Sequence, residues 1–496
     1  MLLGATSQLR YRRATALALI GLVALAALLR LPTLGAKSYW GDEISTLFLV
    51  QRGFGGMLAG IARLESTPPL YYALAKLWYA VAGSGEDGMR SLPALLGVAT
   101  VPVAYGAARE LVSRRAALIT AALIALNPVL VWYSGEARSY SLAVFLCSAG
   151  LWAFARAISG GRRALLVWAL ASSLALATHY FSAFVILPEA LLLLLEGGRL
   201  GTRSRVAAIG AVCCTAAALV PLAVHQSSAG HAVWIARTSL ALRVVRAPVD
   251  LLVGFDAPQR AAVGGLASLL AAGGGWLAWR RVRGEAERRG VAIAAIIGAG
   301  GIALPVVIAI VGVDYFDSRN VLAAIVPLTI VLAAGFATLR GRPAVAAPVA
   351  LGAVFVAVVA TTSTEPKYHS EDWRAAMHAL GPDGRTGRAV IVAPGQAGRK
   401  PAMVYLGEGT QPVRGSRIRV DEVDFVIAPK QGASRPAPSG VRRLESLHLP
   451  AFHPVARRVG SHWVAIRLRA TAPHSVSVRE LTLRLGELRP AVLLEQ

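Results

Sequence analysis

Trp40-Gly41-Asp42-Glu43 sits just beyond the first long apolar block and places two adjacent carboxylates beside a membrane-length segment. Ionisable groups held at membrane depth are costly, which makes them functional candidates by default. A carboxylate there can accept the proton of an attacking hydroxyl from within about 3 Å. Neighbouring side chains point apart, so only one of the two serves as the base. The competing reading makes Asp42 the cap of a helix over Ile44 to Gln51, and the residues alone admit both.

A second cluster, Tyr133-Ser134-Gly135-Glu136-Ala137-Arg138-Ser139-Tyr140, forms a tight turn after an apolar block. A guanidinium at Arg138 suits a phosphate, being always charged and able to donate two parallel hydrogen bonds. A structural Glu136–Arg138 pair closing the turn is the alternative. The third cluster is Asp314-Tyr315-Phe316-Asp317-Ser318-Arg319-Asn320. Arg319 is the lone arginine of a gap that is otherwise acidic and aromatic, which favours a ligand role. Lys76 is similarly isolated and either contacts substrate or snorkels to headgroups. Tyr71 and Tyr133 are further candidate substrate contacts. His179, at the end of an apolar block, is either another or a structural helix end. His179, His225 and His231 lack metal-ligand spacing, so no metal site is assigned. No cofactor is identified, and a divalent metal is compatible but not indicated. Gly273-Gly274-Gly275 follows no strand and gives no nucleotide-binding signal. Glu285 and Glu287 sit among arginines as a solvated face.

The elements that must hold these clusters are membrane helices. The 496 residues are 55% hydrophobic and 16% charged, against about 25% charged in soluble domains, and the mean hydropathy is +0.56. A net charge of +24 is of the size that binds nucleic acid, but its placement excludes that partner. Arginines crowd every second gap between apolar blocks: Arg10, Arg12 and Arg13; Arg109, Arg114 and Arg115; Arg156, Arg162 and Arg163; Arg280, Arg281 and Arg283. That is the positive-inside pattern, with anionic lipid headgroups as the partner. The three cysteines lie inside apolar blocks, which indicates no disulfide, and Cys213-Cys214 reads as a small apolar pair. The first block lacks a small-x-small cleavage site and reads as an uncleaved span.

With basic gaps cytoplasmic, spans are expected at about 14–34, 89–108, 116–133, 138–157, 164–180, 181–196, 206–224, 261–280, 291–311, 319–339 and 343–362. About eleven helices put the N-terminus inside and the C-terminal part outside. The fold class is therefore a polytopic α-helical membrane protein, with residues 1–362 as the membrane domain and 363–496 as an extracytoplasmic α/β domain. An exterior loop over 35–88 carries the acidic pair and a stretch from Leu70 to Ala82, too short to span and suited to the interface. A second exterior loop, 225–260, holds His225, His231, Trp234 and Asp256. The tail opens on a short helix, Glu371 to Leu380, ended by Gly381-Pro382. Strands follow at Ala389 to Val392, Val423 to Ile427 and Trp463 to Leu468, with an irregular end after Ala470.

In this order the clusters resemble the GT-C glycosyltransferases of family 39, which are protein mannosyltransferase-like, and the related aminoarabinose-transferase group. The resemblance covers roughly residues 14–400. It rests on Trp40-Gly41-Asp42-Glu43, Thr67-Pro68-Pro69-Leu70-Tyr71-Tyr72, Arg90-Ser91-Leu92-Pro93-Ala94-Leu95, Tyr133 to Tyr140, and Asp372-Trp373-Arg374. It implies a GT-C fold, a polyprenyl-phosphate-sugar donor, an exterior active site and inversion at the anomeric carbon. Asp42 matches the family's catalytic aspartate, Glu43 its acidic neighbour and Glu136 the second acidic position. Arg138 and Arg319 fall where such enzymes hold the lipid phosphate. Thr67 replaces the family's usual histidine, so that position carries no role across. The acceptor is left open among lipid, protein and cell-wall glycan, and the compartment implied is the plasma membrane. The rival is a multi-span transporter or flippase of a lipid-linked or anionic substrate. Transporters place charge near the bilayer midplane, whereas these clusters lie at span ends.

Overall fold

The computed structural model describes the chain apart from residues 1, 197–199, 231–232, 366–367, 369–371, 382–386, 408, 414, 429–437, 447, 461, 484–489 and 496. The chain divides into two compact units, Met1–Leu34 with Leu49–Thr361, and Gly35–Phe48 with Thr362–Gln496. The stretch carrying Asp42 and Glu43 thus groups with the tail.

The first unit is helical. It contains α1 (Leu2–Arg30), the end of α2 (Gly41–Val50), α3 (Phe54–Leu64), α4 (Leu70–Ala82), α5 (Glu86–Leu111), α6 (Arg114–Leu126), α7 (Pro128–Ser134), α8 (Tyr140–Ile158) and α9 (Arg162–Thr178). There follow α10 (Ala183–Glu196), α11 (Thr202–Ser228), α12 (Leu240–Val253), α13 (Arg260–Arg281), α14 (Glu285–Ile310), α15 (Ile325–Ala337) and α16 (Pro343–Thr364). Eight helical segments among the described residues are long and apolar enough to cross a membrane, and α6 with α7 makes a ninth, bent by 54°. These nine fall on nine of the expected spans, and the chain is an integral membrane protein. The expected spans at 164–180 and 181–196 are the shorter α9, of 17 residues, and α10, of 14. The expected interfacial stretch is α4. The loop over 225–260 contains an amphipathic helix, α12, that the sequence reading did not assign. Cys213 and Cys214 lie exposed on α11 rather than packed, and all three cysteines are unbridged.

Small residues set the helix spacing. A Cβ on Gly335 would stand 1.8 Å from the Gly274 carbonyl oxygen, so α13 and α15 approach backbone to backbone. Gly274 therefore serves helix packing.

The bend between α6 and α7 has an identifiable cause. Pro128 has no N–H, so the Ile124 carbonyl loses its helical partner. Arg30, 2% exposed at the end of α1, supplies the missing donors. Its Nη2 reaches Ile124 O at 3.3 Å, its Nη1 Ala125 O at 2.8 Å, and its Nε Ser134 Oγ at 3.2 Å. Asn127 restarts the helix, its Oδ1 accepting from the Leu130 amide at 3.0 Å. The turn carrying Glu136 and Arg138 follows directly.

The second unit is α/β. Its six strands are β1 (Arg388–Ala393), β2 (Thr410–Pro412), β3 (Arg417–Ile427), β4 (His453–Val459), β5 (Val464–Ser477) and β6 (Ala491–Glu495). They form one sheet ordered β2-β6-β1-β3-β5-β4, with β1 and β3 parallel and the other neighbours antiparallel. Its helices are α17 (Trp373–Leu380), α18 (Gly395–Leu406), α19 (Pro438–Glu445) and α20 (Val478–Leu483). Trp373, Met377, Val390, Val392 and Leu493 fill one core, and Ile391, Phe425, Ile466 and Leu481 the other. Asp372 caps α17 through the Ala375 amide at 3.1 Å; Glu371 and Pro382 lie outside the described residues.

The irregular end expected after Ala470 is corrected. Strand β5 runs on to Ser477, and β6 pairs with both β1 and β2. A five-residue strand whose partners are distant in sequence leaves no local pattern to read. The buried carboxylates Glu422 and Asp424 on β3 meet Arg469 at 2.6 Å and Arg467 at 2.8 Å, so the charge in the sheet is paired.

Candidate functional site

Within the second unit, the first turn of α2 separates the two carboxylates. Glu43 is 1% exposed, and its Oε2 accepts the Trp40 amide at 3.3 Å. A glutamate reaching back from the third helical position is half of a capping box. Glu43 thus makes a capping contact at the start of α2. Asp42 stays partly exposed at the second helical position, where the helix dipole favours a carboxylate anion.

Within the helical unit, the turn before α8 is held by partners outside it. Glu136 Oε1 accepts the Trp132 indole N–H at 2.8 Å. Arg138 instead donates to Glu65, Nη1 to Oε1 at 3.2 Å and Nη2 to Oε2 at 3.0 Å. Glu65 follows α3 and was not singled out in the sequence; its one signal is that it stands two residues before Thr67-Pro68-Pro69. Thr67 Oγ1 and Tyr72 Oη share a hydrogen bond of 3.0 Å. Burial pushes the Tyr72 phenol well above its usual range, with Arg138 opposing and Glu65 adding to the shift. Gln226, also missed, fastens the same loop. Its Nε2 donates to Ile61 O and Thr67 O, both at 3.1 Å, and its Oε1 accepts from Tyr180 Oη at 2.8 Å.

An aromatic row joins the second and third clusters. Tyr133 and Tyr140 lie 4.7 Å apart, Tyr140 and His179 5.7 Å, His179 and Phe181 5.4 Å, and Phe181 and Tyr315 5.9 Å, centroid to centroid. Arg319 lies over the Trp234 ring, 4.3 Å from its centroid, a cation–π contact. Its Nε is 3.6 Å from Asp317 Oδ1, and its side chain is 22% exposed, against 7% for Arg138. A small cleft beside this row is lined by Thr100, Tyr133, Ser134, Tyr140, Ser141 and Leu322.

The Asp314–Asn320 loop is pinned by α12, whose contribution the sequence reading missed. Arg243 grips Asp314 with both Nη atoms and also donates to Phe316 O. Those hydrogen bonds hold the Asp314 carboxyl below its usual range against the opposing effect of burial. Asp250 accepts from Arg260 and, at 3.1 Å, from Ser318 Oγ.

Lys76 stands apart from the row. Its Nζ donates to Val50 O at 2.9 Å and Arg52 O at 2.6 Å, so it caps the C-terminal end of α2. Tyr71 is fully buried, edge-on to Tyr72 at 5.7 Å. His225 is exposed at the end of α11, and His231 lies outside the described residues. Among the described residues no three His, Cys, Asp or Glu side chains converge to hold a metal ion.

Residues 66–225 match the family model described as dolichyl-phosphate-mannose-protein mannosyltransferase. No curated protein matches the chain in sequence. ArnT from Cupriavidus metallidurans, solved bound to undecaprenyl phosphate, is similar in structure over 90% of this chain and 97% of its own, with a TM-score of 0.54 at 13% identity. The same ArnT in the apo state gives the same values. The archaeal oligosaccharyltransferase AglB from Archaeoglobus fulgidus, solved with an inhibitory peptide and a dolichol-phosphate, aligns over 75% of this chain and 59% of its own, with a TM-score of 0.48 at 14% identity. Residues 66–225 are thus similar to a mannosyltransferase family, and the chain shares its overall fold with ArnT.

Proposed function

We propose that the chain is an inverting glycosyltransferase that moves a sugar from a polyprenyl-phosphate carrier to an acceptor hydroxyl on the outer face of a membrane. The observation that carries this reading is the mannosyltransferase match over residues 66–225. That stretch contains the Pro68-Pro69 pair, the Glu136–Arg138 turn and His179. The fold shared with ArnT, solved with a polyprenyl phosphate bound, supports the same class of donor.

In this reading Asp42 takes the proton of the acceptor hydroxyl. The hydroxyl oxygen bonds to the anomeric carbon from the side opposite the phosphate, and the bond from that carbon to the phosphate oxygen breaks. Inversion follows from the single displacement. Polyprenyl phosphate leaves with the bonding electrons, and fixed cations stabilise its charge. Arg319 is the principal phosphate donor, because both Nη atoms of Arg138 already face Glu65. In this reading Glu136 is the second acidic group, Tyr71, Tyr133 and His179 are donor-binding residues, and the Lys76 ammonium is taken up by the Val50 and Arg52 carbonyls. The eleven-span arrangement, with the N-terminus cytoplasmic and the tail outside the plasma membrane, completes the proposal. The acceptor is a lipid, protein or cell-wall glycan hydroxyl.

The test is turnover of a panel of polyprenyl-phosphate sugars by the detergent-purified protein and by Asp42→Ala. Release or transfer of one sugar by wild type alone supports both the class and the base. Equal turnover by both proteins removes Asp42 from the mechanism, and no turnover of any donor overturns the reading.

A further inference from the structure

Residues 31–40 are turns and extended chain with no regular element of their own, yet they deliver the proposed base. Backbone without a ladder must be satisfied from elsewhere, and from Gly35 to Tyr39 the tail supplies several of the partners. Arg374 of α17 donates through Nη2 to Gly35 O at 2.9 Å and Ala36 O at 3.2 Å. Tyr405 of α18 accepts the Tyr39 amide on its Oη at 2.6 Å. Lys400, earlier on α18, donates through Nζ to Ser45 Oγ at 3.2 Å, and Ser45 Oγ donates to Gly41 O at 3.1 Å. The held points run in order along the chain, at 35–36, 39 and 45, and Asp42 lies between the last two.

The platform making these contacts is itself rigid. Trp373 is fully buried, and a Cβ on Gly398 would stand 2.3 Å from its ring, so α17 and α18 touch across the glycine. His378 and Tyr405 meet edge to face at 6.5 Å. An aromatic pair of that geometry fixes the Tyr405 ring from which the Oη reaches the Tyr39 amide.

We infer that Lys400 and Tyr405 are positioning residues for the base: the tail acts in the transfer reaction by clamping the segment from Gly35 to Ser45 and fixing the first turn of α2. The inference rests on Asp42 being the base, as proposed above. Neither residue touches the reacting atoms. Each acts through the backbone that carries Asp42, and misplacement of a catalytic group by about 1 Å costs on the order of 10²-fold in rate.

The experiment uses the full chain in detergent with Lys400→Met, Lys400→Arg and Tyr405→Phe. Donor turnover is read as kcat and KM separately, and amide hydrogen exchange is read over residues 39–46. Lys400→Met is expected to lower kcat by about 10²-fold, leave the donor KM within about threefold, and speed exchange about tenfold in 39–46 alone. Lys400→Arg, which keeps a donor to Ser45, is expected to restore most of the loss, and Tyr405→Phe to reproduce it. Wild-type kcat in both Lys400→Met and Tyr405→Phe would overturn the inference. So would faster exchange across β1 and β3, since that reports loosening of the whole tail. Exchange needs no substrate, so unchanged protection of 39–46 sinks the clamp even if no donor is found. Absence of turnover by wild type counts against the proposed function alone.

Discussion

Arg138 and Glu65 form a two-pronged ion pair between positions 73 residues apart, with oxygen–nitrogen distances of 3.0 and 3.2 Å. Both side chains are almost fully buried, at 7% and 5% exposure. The pair joins the loop ahead of the Pro68-Pro69 motif to the turn ahead of α8, two stretches that the sequence singles out separately. Removing one member leaves an uncompensated buried charge. Glu65→Ala is therefore expected to cost about 3–5 kcal/mol of stability. The double variant with Arg138→Ala should cost less than the sum of the single changes, as neighbours in one network do not add. Thermal melts of the three variants in detergent check this, and simple additivity would refute the coupling.

Arg30 should prove hard to replace. Arg30→Met strips the Ile124 and Ala125 carbonyls of their donor at the bend, at about 1–3 kcal/mol for each buried group left unsatisfied. Arg30→Lys should recover only part, because one ammonium cannot span acceptors that the guanidinium fork reaches together. Hydrogen exchange and proteolysis around residues 124–134 report the result. A fully stable Arg30→Met would show that water or backbone adjustment serves as well.

The two carboxylates of α2 should separate in their effects. Asp42→Asn is expected to lower kcat by about 10²–10⁴-fold, the usual contribution of a general base. Glu43→Gln keeps an acceptor for the Trp40 amide and should lose only about 1 kcal/mol or less of stability. Full activity in both variants would remove this pair from the chemistry.

Arg319 offers a test of donor binding. Arg319→Met should raise the donor KM by about 10–100-fold, which corresponds to the loss of a charge-assisted hydrogen bond worth about 1.5–3 kcal/mol. Its effect on the free protein should be small, since the side chain is partly exposed and stacks on Trp234. An unchanged KM would move the phosphate elsewhere.

Acid should weaken the Arg243–Asp314 link. The Asp314 carboxyl lies below its usual range because Arg243 donates to it. A depressed carboxylate stabilises the folded state above its unfolded pKa of about 3.9 and loses that contribution as pH falls through the lower folded value. Melting temperature should therefore drop more steeply on acidification in wild type than in Asp314→Asn. Parallel curves for the two proteins would exclude the linkage.

Much of the architecture was readable from local pattern. Apolar blocks separated by arginine-rich gaps predict spans because transfer into hydrocarbon depends on composition, and nine of those blocks return as helices of spanning length, one of them bent. The bend was not expected, since the stretch 116–133 reads as one straight span, although Pro128 lacks an N–H. Strands β1, β3 and β5 were legible from their β-branched runs, although β5 extends well past the expected end. Strand β6 was not, because only its distant partners make it a strand. Helix α12 was missed although its Leu- and Val-rich sequence is amphipathic; that Arg243 and Asp250 meet Asp314 and Ser318 is a tertiary fact.

The candidate site divides along the same line. The sequence alone marked Asp42, Glu43, Glu136, Arg138 and Arg319 through their types and their places at the ends of apolar blocks. Tertiary structure decided which charge meets which: Arg138 turns to Glu65, Glu136 to Trp132, and Lys76 to the end of α2. It also assigned the segment from Gly35 to Phe48 to the tail. Partition free energies are properties of single residues and survive in any order along a chain. Pairings between distant residues exist only once the chain has closed on itself, and no local pattern records them.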